Sequence, residues 1–195
     1  RIFMDEYKLS WEKAWNLVVN TVSYTNHTVM TEALETFDEN IVKSKLPRIY
    51  MIIQEINKRF LQEASSKYND YNKAMNMSIF GYGRVNMANM CIIGSHKVNG
   101  VAHLHSEILK RTVFKNFYDY SPDKFLNVTN GITHRRWLNQ ANPLLKELIE
   151  DLVGLDYVTN PEKLNALKLF KDDDSVLNRL SEIKYQNKII LAEYV

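Results

Sequence analysis

The sequence is poor in cysteine, glycine and proline. Its single cysteine, Cys91, excludes an internal disulfide and is typical of a reducing compartment. Six glycines and four prolines among 195 residues are about half the usual share of each, which favours helices over a turn-rich architecture. No apolar run approaches the roughly 18 residues that cross a membrane, so the sequence predicts no membrane span.

Charge and composition are those of an ordinary globular chain. Lys and Arg number 25 against 23 Asp and Glu, and a formal net charge of +2 gives no electrostatic footprint for nucleic acid or a membrane surface. Apolar residues make up 45% and charged residues 25%, which excludes a disordered tail and a coiled-coil rod. The N-terminus lacks the apolar core of a secretory signal, which together with the single cysteine predicts a cytoplasmic protein. The first residue is Arg1 rather than methionine, and Ile189–Val195 stops inside an apolar pattern, so we expect a piece of a longer chain.

The spacing of apolar residues predicts a mainly α-helical chain with a few short strands. After the N-cap Ser10, apolar side chains follow one stripe of period 3.6, which predicts a helix over residues 11–23. Pro47 suits the first turn of another helix that extends to Tyr68. Further helices are predicted over 32–44 and 98–117, after Pro143 and Pro161, and after Asp172–Asp174. Short strands are predicted near 87–96 and 127–132, and loops over 24–29 and around Gly81 and Gly83.

Three histidines, His96, His103 and His105, lie within ten residues of each other. A His-x-His pair on a strand would place both rings on one side and could hold zinc. On a helix, residues two apart do not face each other. Because the pattern there favours a helix, we expect hydrogen-bonded histidines in a packed interior and no metal site.

Two further patterns have ordinary explanations. The run Asp172–Asp174 resembles a short acidic motif that some sugar-nucleotide transferases use to hold a metal. Acidic residues are also favoured at a helix N-terminus by capping and by the helix dipole, and we prefer this interpretation. Asn26, Asn76 and Asn127 each begin a glycosylation pattern, which we attribute to chance because no secretory signal is present.

Four strings of residues resemble the glycogen and starch phosphorylase family. They are Tyr24–Val29 with the following Glu32–Glu35, Arg84–Cys91, Val98–Ala102 with His105 and Ser106, and a last group made of Lys124–Phe125, Asn127–Thr133 and Arg135–Trp137. The strings occur in the order and at the spacing of the family. The resemblance extends from Arg1 to Val195.

The resemblance implies an enzyme and its cofactor. α-Glucan phosphorylases remove the terminal glucose of an α-1,4-glucan with inorganic phosphate, release glucose 1-phosphate and use pyridoxal phosphate. They have a two-domain α/β fold that is glycosyltransferase-B-like, an active site between the domains, and usually form homodimers. By this resemblance residues 1–129 would end the N-terminal domain and residues 130–195 would begin the C-terminal domain.

Four residues carry over from the family by resemblance. His27 matches a histidine near the anomeric carbon and the 6-hydroxyl of the bound glucosyl unit. Asn130 matches an asparagine that hydrogen-bonds the same hydroxyl, and an amide can both donate and accept. These two are the expected catalytic and substrate-binding residues. Val101 matches a residue on the pocket floor, with ordinary core packing as the alternative, and Trp137 is expected near the cofactor.

The resemblance also indicates what this chain does not carry. Two features of the family would follow Val195: the lysine that anchors the cofactor, and the cluster of basic residues that binds phosphate. We therefore expect no pyridoxal phosphate bound to this chain alone. The alternative to a catalytic role is a non-catalytic helical piece that binds glucan or protein. We also expect this chain to self-associate through apolar surfaces that the parent protein covers.

Overall fold

The computed structural model describes residues 1–194, and helices dominate it, as the sequence predicts. The α-helices are α1 (Ile2–Asp5), α2 (Trp11–Thr21), α3 (Glu39–Lys45), α4 (Pro47–Tyr68), α5 (Tyr71–Met75), α6 (Met87–Ile93), α7 (His103–Ile108), α8 (Lys115–Tyr120), α9 (Pro143–Val153) and α10 (Asp174–Ala192). The strands are β1 (Ser23–Asn26), β2 (Thr36–Asp38), β3 (Phe80–Gly81), β4 (Arg84–Asn86), β5 (Lys97–Gly100) and β6 (Phe125–Asn127). Short 3₁₀-helices cover Thr31–Ala33, Pro122–Lys124, Leu155–Val158 and Pro161–Phe170, and π-helical turns cover Leu109–Val113 and Arg135–Gln140.

The chain folds as two compact units. The first unit comprises Arg1–Asn130 and the second Gly131–Val195. The first unit contains both sheets and the main apolar core. Among the described residues, no helix combines the length and the apolar character needed to span a membrane.

The first unit contains a three-stranded parallel sheet. Strand β5 is the middle strand, with β1 on one side and β6 on the other. In the register, Tyr24 lies opposite Val98, and Val98 opposite Phe125. Val98 is fully buried, because the middle strand is paired along both edges and packed within the core. The strands are only three or four residues long, so each carries little alternation that sequence analysis could detect.

The helices that the sequence predicts most clearly are confirmed. Helix α2 begins after Ser10, whose hydroxyl oxygen accepts a hydrogen bond from the Lys13 N–H at 3.4 Å. Helix α4 begins with Pro47 and buries Ile53, Phe60 and Ala64 on one face. The Phe60 ring lies 5.4 Å from the Tyr120 ring and 6.0 Å from the Phe117 ring, measured between centroids. Full burial of a side chain such as Phe60 contributes about 1.5–3 kcal/mol to stability.

The helix expected over 32–44 is shorter and starts later. Residues Thr36–Asp38 form strand β2, which pairs with β4 in an antiparallel sheet completed by β3. The Arg84 guanidinium on β4 donates to the Thr36 carbonyl on β2 at 2.9 Å, which adds a side-chain bond between the two strands. The helix begins only after Asp38, whose carboxylate accepts from the N–H groups of Asn40 and Ile41. Asp38 therefore caps the helix in place of Thr31.

Two assignments around the middle strand are wrong. Residues 87–93, expected as a strand, form α6, because Ala88, Ile92 and Ile93 share one buried helical face. The helix expected over 98–117 begins only at His103, since the residues before it form β5. Two other elements are shifted. The segment 24–29 is expected as a loop, but its first three residues belong to β1. The strand expected near 127–132 lies earlier, at Phe125–Asn127.

The second unit is helical and has a small core. Its buried apolar side chains are Leu148, Ile149 and Tyr157. The Tyr157 hydroxyl donates to the Asn139 side-chain oxygen at 2.8 Å, so the buried phenol is satisfied. Helix α10 begins after Asp173, whose carboxylate accepts from the Ser175 and Val176 N–H groups at 2.9 and 3.2 Å. The capping interpretation of the acidic run is confirmed there, and the hydrogen bond from Ser175 lowers the pKa of Asp173.

Candidate functional site

Three of the residues expected at a site lie within three positions of the ends of the three parallel strands. His27 comes after the last residue of β1, Val101 after the last residue of β5, and Asn130 three positions after β6 ends. In the register, Asn26 lies opposite Gly100 and Gly100 opposite Asn127, so the three strands end level with one another. The carboxyl ends of parallel strands meet at one edge, and this edge is where open α/β sheets bind ligands.

The turn that carries His27 is ordered by the buried Asn26. The Asn26 side-chain oxygen accepts the Thr28 N–H at 3.0 Å, and its amide nitrogen donates to the Tyr24 hydroxyl at 3.1 Å. An asparagine that accepts from the backbone two residues later forms a turn of its own. The Thr28 hydroxyl then accepts the Met30 N–H at 3.0 Å. The backbone on either side of His27 is therefore fixed, while the His27 side chain is exposed.

Two further asparagines hold the ends of the other strands. The Asn99 side-chain oxygen accepts the Val128 N–H at 2.7 Å. The Asn127 amide donates to the Gly100 carbonyl at 3.1 Å and to the Ser106 hydroxyl at 2.9 Å. Each parallel strand thus has an asparagine at or next to its carboxyl end. This asparagine bonds either to the loop that follows its own strand or to a neighbouring segment.

Asn130 is attached to the Val101 loop through its backbone. The Asn130 N–H donates to the Val101 carbonyl at 2.9 Å. The Asn130 side chain is exposed and Val101 is half-buried. An exposed amide, an exposed imidazole and a half-buried aliphatic wall on one sheet edge can bind a polar ligand such as a sugar, with donors and acceptors for its hydroxyl groups.

His105, on helix α7, links two of these loops. Its Nδ1 accepts the Val101 N–H at 3.0 Å, and its Nε2 lies 3.3 Å from the Thr28 carbonyl oxygen. The same helix carries Glu107, which pairs with Lys110 at 3.0 Å and Arg111 at 3.3 Å. The hydrogen bond from Lys110 lowers the pKa of Glu107.

The other two histidines of the sequence cluster have separate surroundings. His96 is exposed, and its Nδ1 lies 2.7 Å from the carbonyl oxygen of Val22, at the end of α2. His103 is exposed at the start of α7. The expected interior packing is therefore wrong for His96 and His103. The expected hydrogen bonds are present for His96 and His105. Among residues 1–194, no three His, Cys, Asp or Glu side chains gather closely enough to hold a metal ion.

Trp137 belongs to the second unit. It lies in the π-helical turn Arg135–Gln140, and its side chain is 71% exposed. The preceding His134 places its Nε2 3.1 Å from the Val158 carbonyl oxygen, which ties the start of this turn to the 3₁₀-helix Leu155–Val158. An exposed indole is available to a ligand or a covering chain segment.

Sequence analysis missed the residues that hold this edge together. Asn26, Asn99, Asn127 and His105 all lie within the strings that resemble the family, but neither their spacing nor the resemblance gives them a role in holding the loops. Asn99 bonds to a residue 29 positions away and His105 to one 77 positions away, so local spacing could not identify these two contacts. The available signal was an asparagine in each of three short polar strings, a residue type that bonds to nearby backbone.

The first unit defines a class of protein: a helix-rich α/β unit that presents polar side chains and ordered loops at the carboxyl edge of a parallel sheet. The chain belongs to the carbohydrate phosphorylase family, which it matches over residues 1–195. The family resemblance carried by the four strings is thereby confirmed.

Sequence identity to individual proteins supports this family membership. The chain is 45% identical over 199 aligned positions to glycogen phosphorylase, muscle form, from Bos taurus and from Homo sapiens, covering 100% of this chain and 24% of each relative. It is 46% identical to glycogen phosphorylase, liver form, from Ovis aries, covering 100% of this chain and 23% of that protein. The chain thus spans about a quarter of the length of the curated relatives it matches.

Proposed function

We propose that this chain is part of an α-glucan phosphorylase. The parent enzyme cleaves a terminal α-1,4-linked glucose with inorganic phosphate and gives glucose 1-phosphate. One observation carries the proposal: His27, Val101 and Asn130 follow three adjacent parallel strands that end at the same level. Family membership supports it, since the relatives are named glycogen phosphorylases.

His27 and Asn130 are the residues we assign to the glucosyl unit. Asn130 supplies an amide that donates to and accepts from the 6-hydroxyl, and His27 supplies an imidazole beside the same hydroxyl and the anomeric carbon. Positive charge develops near that carbon in an oxocarbenium-like transition state, where a nitrogen lone pair is stabilising. Val101 forms the pocket floor with its backbone and half-buried side chain.

We assign residues 1–129 to the end of the N-terminal domain of the parent and residues 130–195 to the start of its C-terminal domain. The division of the chain into compact units between Asn130 and Gly131 supports this assignment.

Pyridoxal phosphate is the cofactor we assign to the parent enzyme, where its phosphate group would supply the proton relay to the substrate phosphate. This chain would contribute Trp137, whose exposed indole fits the flat, apolar side of such a ring. The anchoring lysine belongs to the part of the enzyme outside this chain. The remaining assignments are an α-1,4-glucan and inorganic phosphate as substrates, a homodimeric parent and a cytoplasmic location.

A second candidate applies to this chain on its own: a non-catalytic helical piece that binds protein or glucan. Helix α10 favours it, since Tyr185, Ile190 and Leu191 are 60%, 52% and 64% exposed. Three large apolar side chains exposed on one helix favour a surface that binds another molecule.

The deciding experiment uses the full-length protein. It is incubated with maltoheptaose and inorganic phosphate, and glucose 1-phosphate is measured, with a reaction lacking phosphate as the control. Phosphate-dependent formation of glucose 1-phosphate is expected. Its absence, with the protein folded and supplied with pyridoxal phosphate, would overturn the proposal and leave the non-catalytic candidate.

A further inference from the structure

We propose that His105 is a positioning residue that fixes the two loops on either side of the glucosyl pocket. This inference rests on the proposed function, since it concerns the same sheet edge. His105 touches neither reacting atoms nor the assigned sugar contacts. It acts through the backbone of the loops that carry His27 and Val101.

A continuous chain of hydrogen bonds joins the three loops. The Thr28 carbonyl oxygen lies 3.3 Å from His105 Nε2, and His105 Nδ1 accepts the Val101 N–H at 3.0 Å. The Val101 carbonyl in turn accepts the Asn130 N–H at 2.9 Å. His105 is the only side chain in this series, because the other partners contribute backbone groups.

The contacts assign one tautomer to His105. The Val101 N–H donates to Nδ1, so Nδ1 carries no proton. A neutral imidazole then carries its proton on Nε2, where the Thr28 carbonyl can accept it. Both ring nitrogens are therefore used, one as acceptor and one as donor.

The position of His105 in the fold makes it suited to this task. It lies in the first turn of α7, which packs against β5 and β6. The close approach of Ser106 to Gly100 fixes where the helix lies on the sheet. His105 is half-buried, so its hydrogen bonds compete with water less than those of an exposed side chain.

Without the imidazole, the loop after β1 would lose its side-chain connection to the loop after β5. Asn26 would still order the turn from within, but that turn could move relative to Val101. Misplacement of catalytic groups by about 1 Å can cost on the order of a hundredfold in rate. We expect a loss of about tenfold in kcat for maltoheptaose, with the KM for phosphate unchanged.

The test compares His105→Leu with His105→Gln in the full-length protein, and His103→Leu is the matched control. His103 lies two residues earlier on the same helix and is exposed. Leucine removes both hydrogen bonds, whereas glutamine keeps a donor and an acceptor. The expected results are a tenfold lower kcat for His105→Leu, partial recovery in His105→Gln and normal kinetics in His103→Leu.

Two results would overturn the inference while the wild type remains active. One is a kcat for His105→Leu equal to that of His103→Leu. The other is a loss of kcat that matches a loss of folded protein and is not recovered in His105→Gln. The ring ¹⁵N chemical shifts of wild-type His105 provide a test that needs no variant: a proton on Nε2 is expected, and a proton on Nδ1 would contradict the assignment. Inactive wild-type enzyme would instead overturn the proposed function, so the two failures are distinguishable.

Discussion

Gly100 and Ser106 approach so closely that a β-carbon on Gly100 would lie 2.9 Å from the Ser106 Cα and 3.0 Å from its Cβ. Gly100 is the last residue of the middle strand, and Ser106 is a buried residue of α7. The absence of a side chain at position 100 therefore sets the distance between the helix and the sheet. The loop between them carries Val101.

Replacement of Gly100 by alanine should destabilise the fold. The added carbon meets backbone and a buried hydroxyl, neither of which can move aside freely. Overpacking of this kind costs typically about 1–3 kcal/mol. We expect the free energy of unfolding, measured by urea denaturation, to fall by that amount. Gly131→Ala is the control, since nothing lies within 4 Å of a β-carbon at that position; equal stability of the two variants would contradict the close-packing argument.

His27→Ala and Asn130→Ala should each lower turnover of the full-length enzyme and leave the fold intact. Both side chains are exposed, so their removal creates no cavity. A hydrogen bond to a neutral sugar hydroxyl is worth roughly 0.5–1.5 kcal/mol. If it forms mainly in the transition state, its loss lowers kcat more than it raises KM.

The kinetics of these two variants are compared with those of Asn16→Ala, an exposed change on α2. Circular dichroism checks that all three are folded. Wild-type kcat in both His27→Ala and Asn130→Ala would remove these residues from the proposed site.

Sequence reasoning succeeded where an element carries a long pattern and its own cap. Helix α2 has Ser10 and helix α4 has Pro47, and both have enough turns for one apolar face to be recognised. It failed at β5 and α6, because segments of four and seven residues are too short for apolar spacing to distinguish a strand from a helix. Pairing with strands far away in sequence decided the outcome at β5.

The candidate site was predictable only through family resemblance. No spacing rule connects His27 to Asn130, since the parallel sheet alone brings their loops together. The supporting residue Asn99 acts through one hydrogen bond to the backbone of another segment, and His105 acts through two hydrogen bonds to backbone atoms. Such contacts leave no periodic signal in the sequence.

Tyr120 should make stability depend on alkaline pH. Its hydroxyl donates to Glu63 at 2.6 Å, and its ring is buried against Phe60. Burial, and then the hydrogen bond to Glu63, raise the pKa of Tyr120 above its ordinary value of 10.0. A group whose pKa is raised by folding stabilises the protein fully below its unfolded pKa, and that stability is lost as pH rises through the folded pKa.

The variant Tyr120→Phe isolates this contribution. At neutral pH it should lower the free energy of unfolding by about 0.5–1.5 kcal/mol through the lost hydrogen bond. Above pH 10 its stability should fall less steeply than that of the wild type, because one raised tyrosine pKa is gone. Tyr82→Phe, at an exposed position, should follow the wild type throughout. Identical alkaline profiles for Tyr120→Phe and the wild type would refute the role of Tyr120.

The 195-residue chain alone should show no phosphorolysis and should not retain pyridoxal phosphate. The proposed reaction needs a glucosyl pocket, a bound phosphate and a cofactor phosphate held in contact with each other. By the proposed assignment, this chain would supply one edge of the first, through His27, Val101 and Asn130. A dianionic phosphate also needs several cationic and backbone donors, which Arg135 and Arg136 alone would not provide. The purified chain is incubated with pyridoxal phosphate, phosphate and maltoheptaose, then assayed for glucose 1-phosphate and, after dialysis, for cofactor absorbance, with the full-length enzyme as the positive control. Product above a protein-free control, or cofactor retained in stoichiometric amount, would show that the catalytic groups lie within these 195 residues.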